Sequence, residues 1–175
     1  MSVGSVKSTP VPREVIQRLL DAAAQAPNHH KVRPWRFVVL TGAARERLGE
    51  ALAQATRKNR PGTPPEAVAV EAAKPLRAPV LIVVGVDKPA GPKVLEIENV
   101  CAAAAATENL LLAAQALDLA AKWRTGWPAT DPGVKAFLGF EPDQHLIGFI
   151  YLGYPAEAPV PPSRPDCLDR VTWLE

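Results

Sequence analysis

The sequence has little cysteine: Cys101 and Cys167 are the only two in 175 residues. They form no CxxC pair and no disulfide framework, so neither a stapled scaffold nor a thiolate zinc cluster is expected. An excess of charge is also missing. Lys and Arg number 20 against 18 Asp and Glu, a formal net charge of +2, which argues against nucleic acid as a partner. No GxSxG, Walker loop, HExxH or GxGxxG occurs, so the common hydrolase, nucleotide-loop and zincin chemistries lose their usual signatures. Three histidines, His29, His30 and His145, lie without a local cluster of metal ligands. Long uncharged apolar runs are absent too. The most apolar stretch, Val94 to Trp123, carries Glu96, Glu98, Glu108 and Asp118, and such charges speak against a membrane span. Met1 to Lys7 shows no apolar core of a secretory signal, so the expected location is cytoplasmic.

What is present is an ordinary globular composition, 47% hydrophobic and 22% charged. One domain over residues 1–175 is expected, with enough chain to bury a real core. Pro12 is placed to open a helix over about 12–25, where Val15, Ile16, Leu19, Leu20 and Ala23 recur at helical spacing. Trp35 to Leu40 is aromatic and β-branched and reads as a strand. Thr41 is a candidate cap for a helix over 43–56. The basic, breaker-rich stretch 57–65 reads as a solvated loop or as a lid. Ala78 to Val86 is a continuous apolar run, the pattern of a buried central strand. The longest helical pattern runs from Val94 to about Leu119 and is apolar nearly all round. A helix with no polar face must be covered on every side, and in so small a chain this implies a second subunit. Cys101 sits in that pattern and reads as a small buried hydrophobe. Trp123 to Pro128 breaks the helix. Thr130 or Asp131 caps a short helix through Phe137, and Leu146 to Leu152 is a second buried strand. The proline-rich tail from Ala156 has no core of its own, and Val171 to Leu174 is a candidate edge strand on a partner.

Two segments concentrate cations, hydrogen-bond donors and aromatics at element boundaries, where binding groups usually sit. One is Ala26-Pro-Asn-His-His-Lys-Val-Arg-Pro-Trp-Arg-Phe37. The other is Ala121-Lys-Trp-Arg-Thr-Gly126 together with the strand ending Leu152-Gly-Tyr-Pro155. With these markers in this order, the chain resembles the nitroreductase family of FMN-dependent oxidoreductases, in its short single-domain branch. The resemblance runs from about Val11 to the C-terminus.

The resemblance implies an α+β fold, with a mostly antiparallel central sheet flanked by helices, and an intertwined homodimer. Residues 156–175 would pack on the partner subunit. FMN is the implied cofactor, with two molecules at the dimer interface, and NAD(P)H the implied electron donor. Hydride would pass through the flavin to a nitroaromatic, a quinone or a similar electrophile by a ping-pong mechanism. No side-chain acid or base is required, because the flavin carries the chemistry. The implied cofactor-binding residues are Ser2, Gln25, His29, Trp123, Arg124 and Thr125. Gln25 falls where the branch often has a basic residue, and His29 on the loop that contacts the flavin. Trp123, Arg124 and Thr125 fall on the segment along the ring, where N–H groups near Thr125 and Gly126 would meet flavin N5 and O4. Arg124 belongs near either the pyrimidine end or the phosphate. Trp127, or an aromatic of the partner, would stack on the acceptor. One departure stands out. Family members begin with an Arg-Arg-Ser-type motif that grips the FMN phosphate; Ser2 matches the serine, but Met1 falls on the arginine. Arg33 stands where glutamine is common. Loss of charge-assisted hydrogen bonds to a phosphate weakens binding, so a nitroreductase-like binding or regulatory dimer without FMN is the alternative reading.

Overall fold

The computed structural model describes residues 5–158, 163 and 165–174. Ser2 therefore lies outside the described residues. Among the described residues nine α-helices and strands follow in order: α1 (Arg13–Ala23), β1 (Trp35–Thr41), α2 (Ala43–Asn59), α3 (Pro65–Ala73), β2 (Val80–Val86), α4 (Glu96–Ala116), β3 (Ala120–Arg124), α5 (Pro132–Phe137) and β4 (Leu146–Gly153). The four strands form one sheet in the order β1-β2-β4-β3, every pair antiparallel. The expected α+β architecture is present.

The sheet divides the molecule because successive side chains on a strand point to opposite faces. On one face Val80, Ile82, Val84 and Ile150 pack against Ile16 and Leu19 of α1 and Ala103, Ala106 and Leu110 of α4. On the other, Leu81, Val83 and Phe149 pack against Leu48 and Leu52 of α2 and Val134 and Leu138 of α5. β2 is buried along its whole length, which is why its sequence shows no alternation.

Several expectations need correction. The 57–65 stretch is not all loop: α2 continues to Asn59, and α3 starts at Pro65 with Pro64 before it. Two prolines at a helix start are compatible with helix, since the first N–H groups have no intrahelical partner anyway. Thr41 is not the cap of α2; it ends β1, and Gly42 occupies the cap position. The segment after α4 does more than end a helix. Asp118 turns the chain with φ +56°, and Ala120–Arg124 then pairs with β4 as an edge strand. Cys101 is exposed, not buried; it lies on the side of α4 that the chain leaves uncovered. Val171 to Leu174 forms no strand within the chain, and Trp173 and Leu174 remain 82% and 95% exposed. Asp131 does cap α5, its Oδ1 accepting the Val134 N–H at 2.8 Å.

Candidate functional site at the open end of the sheet

Antiparallel order brings the start of β1, the end of β2, the start of β4 and the end of β3 to one end of the sheet. Trp35 pairs with Val86, and Gly85 with Leu146. Both candidate segments lead to this end. The 26–34 loop enters β1, and Thr125 to Trp127 leave β3. They lie on opposite lateral edges, because β1 and β3 are the outer strands. Three strand spacings separate them, roughly 14 Å.

The 26–34 loop is held by its own asparagine. Asn28 Oδ1 accepts the Arg33 N–H at 2.9 Å, and its Nδ2 donates to the Ala26 carbonyl at 3.3 Å. Within this closed turn His30, Lys31 and Arg33 adopt positive φ of 50°, 55° and 51°. Such backbone is sparsely populated by non-glycine residues and persists where its surroundings impose it. The loop faces the first two turns of α4. There His29 Nδ1 stands 3.7 Å from Glu98 Oε1, and a cleft of about 530 Å³ opens between Pro27, Asn28 and His29 on one side and Ile97, Glu98 and Cys101 on the other. Its walls are apolar with a few polar groups, the usual character of a site for a flat organic ligand. Gln25 does not join it. Its amide turns back onto its own helix, donating to the Asp21 carbonyl at 3.3 Å.

At the other edge, strand alternation separates two residues that the sequence places side by side. Trp123 pairs with Ile150 and lies on the α1/α4 face. Arg124 pairs with Phe149 and lies on the α2/α5 face. The Trp123 indole N–H donates to the Ile147 carbonyl at 3.0 Å. It passes over Gly148, where a Cβ would fall 2.4 Å from the indole nitrogen. A glycine inside an apolar strand often marks such a close approach, and that signal was available in the sequence. Arg124, Thr125 and Gly126 border a recess of about 100 Å³ with Trp127 and Tyr151. Gly126 has φ +107°, a conformation that suits glycine. Trp127 is packed into the second core and covered by Arg60, whose guanidinium carbon is 5.9 Å from the ring centroid. It is engaged within its own chain on that side and lines the recess on the other. Among the described residues no group of His, Cys, Asp and Glu is arranged to hold a metal ion, and no helix is long and apolar enough to cross a membrane.

Comparison with known proteins decides the family. The family model described as Nitroreductase family matches residues 2–154. The chain belongs to the nitroreductase family. A relative in Escherichia coli (strain K12), named "Putative NAD(P)H nitroreductase YdjA", is 31% identical over 162 residues, covering 92% of this chain and 87% of its own. The nitroreductase-like protein of Bacillus cereus superposes with a TM-score of 0.83 at 23% identity, covering 100% of this chain and 91% of that one. A Desulfovibrio desulfuricans structure, titled a "putative nitroreductase in complex with fmn", has a TM-score of 0.73 at 26% identity, with 99% and 91% covered.

Proposed function

We propose that this chain is an FMN-dependent oxidoreductase that draws on NAD(P)H and works as a homodimer with two shared flavin sites. Membership of the nitroreductase family supports the cofactor and the donor. The observation that carries the shared site is the placement of the two candidate segments. They occupy the same end of the sheet but opposite edges, too far apart for one ring to touch both in a single chain. A second copy that brings its 26–34 loop toward the β3 edge resolves this.

The residues suit the cofactor's ring. Thr125 and Gly126 follow the last ladder residue of β3, and neither N–H makes a backbone hydrogen bond among the described residues. These donors are free to meet charge that develops on a reduced ring. FMN, when bound, supplies the hydride chemistry between NAD(P)H and an electrophilic acceptor such as a nitroaromatic or quinone. The chain supplies the setting. Trp123, fixed through Ile147, forms an apolar wall. The Ile97, Cys101 and Ala105 side of the α4 cleft offers the ring an apolar surface. The His29 loop is held rigid by Asn28. No Lys or Arg lines the α4 cleft, so the phosphate must be held elsewhere.

The test is titration of the purified apoprotein with FMN, read by flavin fluorescence, with light scattering for its mass. One FMN per chain on a dimer is the expected result. A dimer that takes up no flavin would leave the binding-protein reading in its place. A monomer that binds flavin tightly would end the shared-site geometry.

A further inference from the structure

A second, smaller cleft lies beside β3 on the α2/α5 face. It is about 80 Å³, room for a small group and not for a ring system. Three cations border it. Lys122 and Arg124 project from alternate positions of β3, and Arg77 comes from the turn that leads into β2. Ser5 and Tyr151 complete the wall. None of the three cations takes part in an ion pair among the described residues. The nearby carboxylate, Glu71, is held by Lys74. Three unpaired like charges in one small cleft repel one another, and an anion between them turns that repulsion into attraction.

The uncharged groups agree with this. Tyr151 pairs with Lys122 across the ladder. Burial raises its pKa above the ordinary value, although Arg124 and Arg77 pull the other way. The hydroxyl therefore stays protonated at neutral pH and is available as a donor. Ser5 adds a hydroxyl. Two guanidinium groups, one ammonium and two hydroxyls make a set of charge-assisted and neutral donors matched to several oxygens on one small anion.

We propose that Arg77, Lys122 and Arg124 form the binding site for a phosphate monoester. This rests on the flavin reading for its ligand. Arg124 borders both this cleft and the recess beside Thr125 and Gly126, so a phosphate held here lies next to the N–H groups proposed to meet the ring. Two available ligands carry a phosphate monoester: FMN at its 5′ position and NADPH at its 2′ position.

The test uses full-length protein with Arg77→Gln, Lys122→Gln, the double variant, and Lys122→Arg as the conservative control. Each is titrated with FMN, riboflavin, NADPH and NADH, and melting confirms that each is folded. Each lost cation is expected to weaken a phosphate ligand by about tenfold or more, while Lys122→Arg retains affinity. Selective loss of FMN with riboflavin unchanged assigns the cleft to the flavin. Selective loss of NADPH with NADH unchanged assigns it to the nucleotide. Unchanged FMN/riboflavin and NADPH/NADH ratios in the double variant overturn the proposal. If the parent takes up neither flavin, the flavin reading fails on its own. The cleft is then judged by calorimetry with inorganic phosphate, and equal binding by parent and double variant overturns it.

Discussion

The two long helices cover opposite faces of one sheet by opposite means. α2 is amphipathic: Leu48, Leu52 and Ala55 are buried, while Glu46, Arg47, Glu50, Arg57 and Lys58 face water. Nothing more is needed to complete that side. α4 buries Ala103, Ala106, Leu110 and Ala114, yet its outer side still presents Ile97 at 63% and Leu112 at 58% exposure, with Cys101 between them. Ile97, Cys101, Ala105, Glu108 and Leu112 fall four or so residues apart and form one stripe along the helix. One face of the sheet is closed by its own chain, and the other keeps an apolar stripe exposed, the face we propose a second copy covers. The candidate flavin cleft opens on the unfinished side, against the same α4 residues.

Charging that stripe is the strongest way to break the comparison. Ile97→Glu with Leu112→Glu buries two carboxylates in the proposed interface, where each apolar side chain otherwise contributes about 1.5–3 kcal/mol. The dimer is expected to weaken by at least about 100-fold, and flavin is expected to leave with it. The same change on α2, Gln54→Glu, touches solvent only and is expected to alter neither mass nor flavin content. Sedimentation of both variants across a concentration series decides it. A double-glutamate variant that stays dimeric would move the interface away from α4.

How much of this was legible follows from the same contrast. α1, β1, α2, β2 and β4 were readable because their periodicity matches one-sided or two-sided burial within the chain. α4 was readable as a helix, and its missing polar face pointed to a partner. Cys101 was misplaced for the same reason: apolar neighbours suggested burial, but the chain itself covers only half of that helix. β3 escaped because Ala120-Ala-Lys-Trp-Arg124 has weak strand propensity and forms through pairing with β4. α3 escaped because three prolines and a glycine near its start masked nine helical residues. At the candidate site, the resemblance pointed to His29 and Trp123 to Thr125, whereas the pairing of His29 with Glu98 and the gathering of Arg77, Lys122 and Arg124 depend on contacts distant in sequence.

Two glycines sharpen the comparison at smaller scale. On the closed face, a Cβ at Gly85 would fall 2.1 Å from Cε1 of the buried Phe140. On the open face, a Cβ at Gly148 would meet the Trp123 indole and lie 2.5 Å from the Arg124 carbonyl, at a φ of +153°. Gly85→Ala is expected to cost about 1–3 kcal/mol through overpacking, and Gly148→Ala more, because its φ and the Arg124 carbonyl add backbone strain; both are seen as drops in urea midpoint. Only Gly148→Ala displaces a residue of the candidate ring site. Flavin affinity should therefore fall in Gly148→Ala and hold in Gly85→Ala below the melting transition. Equal flavin affinities in the two variants would remove Trp123 from the site.

The smallest effect concerns Tyr151, at the β3 edge where the closed face gives way to the cationic cleft. Its pKa is raised chiefly by burial, with Arg124 and Arg77 opposing. A raised value means that the folded state holds the phenolic proton more tightly than the unfolded state does. The resulting stability is complete below the ordinary tyrosine value of 10.0 and is lost as pH rises from there through the folded value. Tyr151→Phe cannot ionise, so its stability should decline less steeply above pH 10 than that of the parent. Urea titrations at a series of alkaline pH values measure this slope, and absorbance of the phenolate reports the ionisation directly. If Tyr151 ionises below its ordinary value, the cations outweigh burial, and the cleft is more open to water than its packing implies. Saturating phosphate would then sharpen the result. An anion seated among Arg77, Lys122 and Arg124 disfavours a phenolate beside it, and should raise the Tyr151 value further on this face alone.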